Sequence, residues 1–331
     1  MNKTSLLSIL LAVGLGLTVQ AAQTNKANLT WTDPDKAAAE DVDFRFQGEY
    51  GFNRKGQPWA VQVVALGDGQ FDAYLLEGGL PGLGWDRQRA RIRLGGVRLG
   101  NAVSLLSVDG TISGVILDDR LALQRNGTQI VNLPRLVRKS PTLGAKPPKG
   151  AVVLFDGTSA EAWINGKVEN GLLPNTDIMT KQKFSDYRLH LEFRTPYKPY
   201  ARGQARGNSG VYHQGRYETQ VLDSFGLEGR MNECGGIYSI AHPQLNMCLP
   251  PLTWQTYDVD FTAARFDADD KVLAPAKMTV RLNGVVIHQD QALPKTTTAA
   301  PIGQITPEPG PIFIQHHGDP VYYRNIWIIP K

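Results

Sequence analysis

The chain has 331 residues, 42% of them hydrophobic and 20% charged, and a formal net charge of +4. That is the composition of an ordinary folded protein long enough for two globular units. Lys and Arg are scattered rather than gathered in a run with interleaved aromatics, which excludes a nucleic-acid-binding surface from the expected functions.

Residues 1–21 read as a secretory signal peptide. Lys3 gives a basic start, the stretch from Leu6 to Val19 is broken only by Ser8 and Thr18, and Val19-Gln20-Ala21 supplies a small-residue cleavage site. The apolar run falls short of the ~20 residues needed to cross a bilayer. The mature chain is therefore expected in the periplasm or outside the cell, with no membrane span.

Amphipathic helical periodicity is absent from the rest, whereas short alternating runs bounded by Gly, Pro, Asn and Asp recur. An all-β protein is predicted. Residues 22–139 form a small all-β domain of unknown role, with strands at 44–50, 59–66, 71–76, 90–94 and 111–116 separated by turns such as Gly67-Asp68-Gly69 and Asp109-Gly110. It contains no His and no catalytic constellation. Three prolines within 140–150 mark a linker. Residues 151–331 then carry strands at 151–155, 188–194, 209–213, 217–222, 256–261, 277–282, 285–288, 311–315 and 323–329, with Asn283-Gly284 as a hairpin turn. So many strands without crossover helices predict an antiparallel β-sandwich or jelly roll.

Several residues of this second domain carry chemistry. Alternation puts Glu218 and Gln220 on one face of their strand and Tyr217, Thr219 and Val221 on the other. Likewise Leu189, Leu191 and Phe193 oppose His190, Glu192 and Arg194. Gly207-Asn208-Ser209-Gly210 allows close approach of backbone to a ligand, with hydrogen-bonding groups suited to sugar hydroxyls. His316-His317-Gly318-Asp319 offers imidazole and carboxylate at a strand end, where Gln315 and His317 share a face. Cys234 and Cys248 fit an oxidising compartment, where a disulfide staple is the expectation and two buried thiols the competing reading.

Val153-Leu154-Phe155-Asp156-Gly157, Trp163, Asn208 to Tyr212, Tyr217 to Asp223, Trp254 to Asp258, Asn283-Gly284-Val285 and His317 to Ile326 occur in an order that resembles the 3-keto-disaccharide hydrolase domain family. The resemblance covers 150–331. It implies a concanavalin A-like jelly roll of laminarinase-like architecture and a glycoside or oligosaccharide substrate. It also implies hydrolysis of 3-keto-glycosides by proton abstraction at carbon 2, elimination of the aglycone and hydration. Among matched positions, Glu218 and His317 are the candidate base and acid. Asn208, Gln220, Gln315 and Arg324 are candidates for holding the sugar or its enolate, and Asp319 for orienting His317. The residues fix no cofactor, and a divalent metal stabilising the enolate stays open, with Glu218, His317 and Asp319 its candidate ligands. His316 stands where an acidic residue is common in the family, which weakens a borrowed metal set. Two alternatives stay open: a lectin-like binding protein without catalysis, and a two-carboxylate glycosidase pairing Glu218 with Asp223.

Overall fold

A computed structural model describes residues 26–331; the expected signal peptide lies outside the described residues. Among them no helix is long and apolar enough to cross a membrane.

A seven-residue helix, Pro34–Glu40, opens the described chain, its first N–H groups capped by the Asp33 carboxylate. Eight antiparallel strands follow: β1 (Gly48–Tyr50), β2 (Trp59–Gly67), β3 (Gln70–Glu77), β4 (Arg91–Leu99), β5 (Ala102–Ser107), β6 (Ile112–Leu117), β7 (Arg120–Arg125) and β8 (Thr128–Leu136). They close into a barrel, each pairing with the next and β8 returning to β1 through Glu49↔Leu136 and Tyr50↔Arg135. Closure leaves no free edge. The lumen is filled by Val61, Val63, Phe71, Leu75, Leu94, Leu105, Leu121 and Leu133 among others. It is tight enough that a Cβ on Gly96 would lie 2.6 Å from Leu105 Cδ2.

Strands β5, β7 and β8 are absent from the sequence-based expectation. β5 turns Leu106 outward beside inward Leu105, β7 has only Leu121 and Leu123 as an inward pair, and β8 contains Pro134, so the alternation in each is short or interrupted. The Asn126-Gly127 turn joining β7 to β8, with φ of 50° and 79°, was a usable hairpin signal. The predicted strand 44–50 shrinks to Gly48–Tyr50, because residues Val42–Arg45 form a 3-10 turn capped by Asp41.

The second unit contains β9 (Val152–Phe155), β10 (Trp163–Ile164), β11 (Leu173–Pro174), β12 (Ile178–Thr180), β13 (Tyr187–Arg194), β14 (Ser209–His213) and β15 (Tyr217–Val221). It continues with β16 (Gln255–Thr262), a ribbon of β17 (Arg265–Phe266) and β18 (Val272–Ala274), then β19 (Ala276–Leu282), β20 (Val285–Leu293), β21 (Phe313–His316) and β22 (Tyr322–Pro330). The smaller sheet runs β10-β12-β21-β14-β15; the larger runs β11-β22-β13-β16-β19-β20, with β9 also on β22. Their inner faces enclose one core of Leu189, Leu191, Phe193, Val211, Val221, Val259, Ile314 and Ile328, as alternation predicts for a jelly-roll sandwich. The Asn283-Gly284 hairpin is present, both residues at positive φ.

Polar groups also cross this core. Tyr187 Oη and His213 Nδ1 lie 3.0 Å apart, Tyr323 Oη donates to Ser209 Oγ at 2.8 Å, and Tyr257 Oη donates to the Gln220 carbonyl at 2.6 Å. These bonds fix β14 and β15 against the larger sheet. Burial pushes His213 down to about 3, so the ring is neutral and structural.

Cys234 and Cys248 do not form the expected disulfide: both are free, buried thiols. Each has other partners, Cys234 Sγ at 3.5 Å from Tyr257 Oη and Cys248 Sγ facing the Leu249 carbonyl at 3.4 Å. Core packing holds the loop between them.

Segment 140–150 is pinned to the outer face of the larger sheet. Ser140 and Thr142 bond to Thr256, Gly144 N–H donates to Glu192, and Ala145 O accepts from Asn325 and Trp327. The barrel packs on two loops of the sandwich. Arg87 donates to the carbonyls of Gly229, Pro243 and Gln244, Arg91 to Gly226, and Arg202 from the sandwich to Leu66.

At the same junction Gly67, with φ +86°, leaves room for the Tyr200 ring, which a Cβ would approach to 2.4 Å. Gly67→Ala should therefore destabilise the protein by about 2 kcal/mol or more in urea unfolding, through strain and displacement of Tyr200. Unchanged stability would contradict this close approach.

Candidate active site

The outer face of the smaller sheet carries a cleft of about 130 Å³ lined by Gln204, Asn208, Tyr212, Glu218, Gln220, Tyr238, Thr298, Ala299, Gln315 and His317. Register explains the gathering: Tyr212 pairs with Glu218, Gly210 with Gln220 on one side and Gln315 on the other. Side chains at these positions share a face. A larger hollow of about 420 Å³ on the barrel has Glu77 and Arg89 as its charged residues, both exposed, and holds no comparable acid or base.

β15 lies at the edge of its sheet, and a loop covers it. Gln220 N–H donates to Gly236 O, Gly235 N–H to Gln220 O and Tyr238 N–H to Glu218 O, at 2.9, 3.1 and 3.3 Å. The loop after β20 joins it at the same edge, where Thr297 Oγ1 accepts from Glu218 N–H and the Thr298 carbonyl accepts from Tyr212 Oη.

Glu218 is 3% exposed, and this burial pushes its carboxyl up to about 8 against a hydrogen bond from Tyr212 that favours the ionised form. Its space exists because residue 210 is glycine: a Cβ there would lie 2.3 Å from Glu218 Oε1. The Gln220 amide bridges the acid to two neighbours. When its Nε2 donates to Gln204 Oε1 and Asn208 Oδ1, at 3.1 and 3.2 Å, its carbonyl oxygen meets Glu218 Oε1 at 2.5 Å. That contact needs a proton on Glu218. Turned over, the amide gives Glu218 its NH2 but sets its own oxygen against Gln204 Oε1 and Asn208 Oδ1, two acceptors.

Five of the site residues expected from sequence thus come together: Glu218, Gln220, Asn208, Gln315 and the exposed His317. Two do not join them. Asp319 is buried, accepts from Asn208 N–H at 2.8 Å and pairs with Lys198, so it orients the Asn208 backbone and not His317. Arg324 lies on the outer face of the larger sheet, bonded to Glu192 at 2.7 Å with its guanidinium 4.1 Å from the Trp254 ring centre. Tyr323 points into the core, so strand alternation sends Arg324 away from the cleft.

The metal set Glu218, His317 and Asp319 is not assembled, and among the described residues no three His, Cys, Asp or Glu side chains form a metal cluster. Asp319 is already committed to Lys198 and Asn208. The two-carboxylate pairing fails similarly. Asp223 is buried in an ion pair with Arg206 at 2.7 Å, and among the described lining residues Glu218 is the only carboxylate. Gln204, Tyr238 and Thr298 were missed because they reach the cleft from loops, where periodicity says nothing about direction.

Residues 150–329 match a family model described as a 3-keto-alpha-glucoside-1,2-lyase-like domain, more than half of the chain. The chain belongs to this family. A crystal structure of a candidate glycosyl hydrolase from Parabacteroides distasonis is 36% identical, with a TM-score of 0.51, over 56% of this chain and 85% of that one. A second candidate glycosyl hydrolase from the same organism is 20% identical, with a TM-score of 0.41, over 55% and 94%. None of the curated proteins matches. The family assignment makes the C-terminal unit a glycosyl-hydrolase-like, carbohydrate-active domain.

The buried acid has a consequence for stability. Glu218 titrates near its ordinary 4.5 in the unfolded chain and at about 8 in the folded one, so between these values the folded state binds more protons and stability falls as pH rises. Glu218→Gln removes that cost. The variant should match the native protein near pH 4.5 and exceed it by up to a few kcal/mol at pH 8 and above in denaturant unfolding. A gain independent of pH would rule out the raised acid.

Proposed function

We propose that this protein cleaves the glycosidic bond of 3-keto-glycosides, with Glu218 removing the proton from carbon 2. The observation that carries the reading is a single buried carboxyl, raised to about 8, in a cleft otherwise walled by amides, hydroxyls and one imidazole. A classical glycosidase needs two carboxyl groups across the bond. A 3-keto sugar needs only one strong base, because the ketone acidifies the carbon 2 hydrogen. A base whose proton affinity lies near the working pH suits that step.

Glu218 takes the proton, and the electrons of the C2–H bond pass into the enolate of the carbon 3 ketone. Collapse of the enolate forms the C1–C2 double bond and expels the aglycone oxygen from carbon 1. His317, at the exposed rim, is placed to protonate that oxygen. Asn208, Gln204 and Gln220 supply amide donors for the sugar hydroxyls and the enolate oxygen. Water adding at carbon 1 of the enone then completes a net hydrolysis; elimination alone is lyase chemistry. Oligosaccharides or glycosides of an exported chain, in the periplasm or outside the cell, are the substrates this reading implies.

The test uses a 3-keto-glucoside and its unoxidised parent. Aglycone release from the keto sugar alone, with exchange of the carbon 2 hydrogen for solvent deuterium, supports elimination. Release from the parent, or binding of both without release, overturns it. Below pH 8, kcat/KM should rise roughly tenfold per pH unit and then level off as Glu218 ionises. Glu218→Gln should lower kcat by about a thousandfold, in the range expected for loss of a general base.

A further inference from the structure

Gln204 reaches the cleft from the 3-10 turn Gly203–Ala205, half-buried and without a charge of its own. We propose that Gln204 is a positioning residue that keeps the proton on Glu218 in the substrate-free protein, by giving the amides beside the acid a single allowed direction. This deepens the reading of Glu218 as the base and rests on it.

The direction is set by two backbone carbonyls, which can only accept. Gln204 Nε2 donates to Asn232 O at 2.8 Å, which leaves its Oε1 for Asn208 and Gln220. Asn208 Nδ2 donates to Gln204 O at 3.0 Å and to Gln204 Oε1 at 3.1 Å, so its own Oδ1 faces Gln220. Gln220 therefore meets two oxygens, at 3.1 and 3.2 Å, and must offer them its NH2. Its carbonyl is left for Glu218 Oε1 at 2.5 Å.

With a proton on Glu218, each link from Asn232 to the acid pairs a donor with an acceptor. Ionised, Glu218 sets a carboxylate against a carbonyl. Turning Gln220 over gives its NH2 the carboxylate and the Ser209 carbonyl at 3.3 Å, but opposes oxygen to oxygen at both Gln204 and Asn208. Turning those two amides over as well moves the conflict to Asn232 O and Gln204 O. No setting of the three amides suits the ionised acid, and opposed polar groups at low exposure are costly. Burial raises the carboxyl, and the amide chain acts in the same direction. An acid that holds its proton in this way is the stronger base toward carbon 2 once ionised. The other titratable side chains lining the cleft are Tyr212 on β14, Tyr238 on the edge loop and His317 after β21. None belongs to the amide chain, so substitutions at Gln204 leave all three in place.

Gln204→Met keeps the length of the side chain and removes the anchor, so Gln220 can turn over against one oxygen instead of two. The carboxyl carbon signal of Glu218 in NMR, identified by its loss in Glu218→Gln, should then titrate about one pH unit lower with no substrate present. Gln204→Glu retains an acceptor toward Gln220 and adds negative charge, so the signal should titrate at or above the native pH. A merely loosened turn would not shift the two variants in opposite directions. On a 3-keto-glucoside, the rising limb of kcat/KM should move down with the carboxyl in Gln204→Met, while its plateau falls about threefold because the base is weaker. A neutron structure of the unsubstituted protein at about pH 6, below the value of about 8 for Glu218, needs no variant to fold. It should show the Gln220 NH2 toward Gln204 and Asn208, and a proton between Glu218 and the Gln220 carbonyl. The reverse amide orientation, an unmoved titration in Gln204→Met, or equal shifts in both variants would overturn the proposal, whether or not the keto sugar is cleaved. Shifted titration without cleavage would support the amide chain and overturn the catalytic reading instead.

Discussion

The free edge of β15 is the constraint from which the rest of the architecture follows. This strand carries Glu218 and Gln220 and ends its sheet, so one row of its N–H and C=O groups has no neighbouring strand. Residues 235–238, with Thr297 on the Glu218 N–H, supply the missing partners. The former belong to the long connection between β15 and β16, which contains no strand of its own. Asn246 and Glu233 tie it internally through bonds to the backbone of Ser224, Leu227, Gly229 and Arg230. The barrel completes the support. Its Arg87 and Arg91 bind four carbonyls of this connection, and Gly226 comes so close that a Cβ would lie 2.6 Å from Val64 Cγ2. The barrel, which gives the cleft no lining residue, is thus part of what shapes it.

The second support reaches the cleft from the opposite direction. Arg206, two residues before Asn208 and two after Gln204, is buried in an ion pair with Asp223, with its guanidinium 3.4 Å from the Ala65 carbonyl of the barrel. A buried pair of this kind stabilises weakly in itself, but removing one partner strands a charge, so it acts as a rigid joint. Lys198 and Asp319 repeat the device nearby, where Asp319 also holds Asn208 N–H. The amides that face Glu218 are therefore anchored from behind, as a site needs if its donors are to be oriented before substrate arrives.

On the far side of the sandwich the same principles give a structural result. His190 and Glu192 are fully buried on the outer face of the larger sheet, roofed by segment 140–150. Burial alone would raise Glu192, but bonds from His190, Asn325, Gly144 N–H and Arg324 outweigh it and hold the carboxyl at about 2. Glu192 and Glu218 lie on opposite sheets at similar burial, one ionised and one largely neutral at pH 7. The difference is the number of donors each carboxyl finds.

Local pattern was enough to set the all-β class, the longer strands of the sandwich and the side of each that faces inward, whereas the two- and three-residue strands β10, β11, β12, β17 and β18 are too short to show a period. Burying one face of a sheet imposes a period of two, and Leu189, Leu191 and Phe193 display it without ambiguity. The same rule put Glu218 with Gln220 and Gln315 with His317 before any sheet order was known. Sheet order itself came only from tertiary structure. It brought β21 beside β14 and so merged two separate stripes into one cleft, while placing β22 in the other sheet and taking Arg324 with it. Barrel closure was equally hidden, since the alternation in the strands that complete it is short or interrupted, by outward Leu106 in β5 and Pro134 in β8. The fates of Asp223, Asp319 and Cys234 depended on partners well separated along the chain, Arg206, Lys198 and Tyr257. Side-chain periodicity is a local property that sequence carries directly, whereas the pairing of a buried charge or thiol is decided by whichever distant group the packed fold brings within reach.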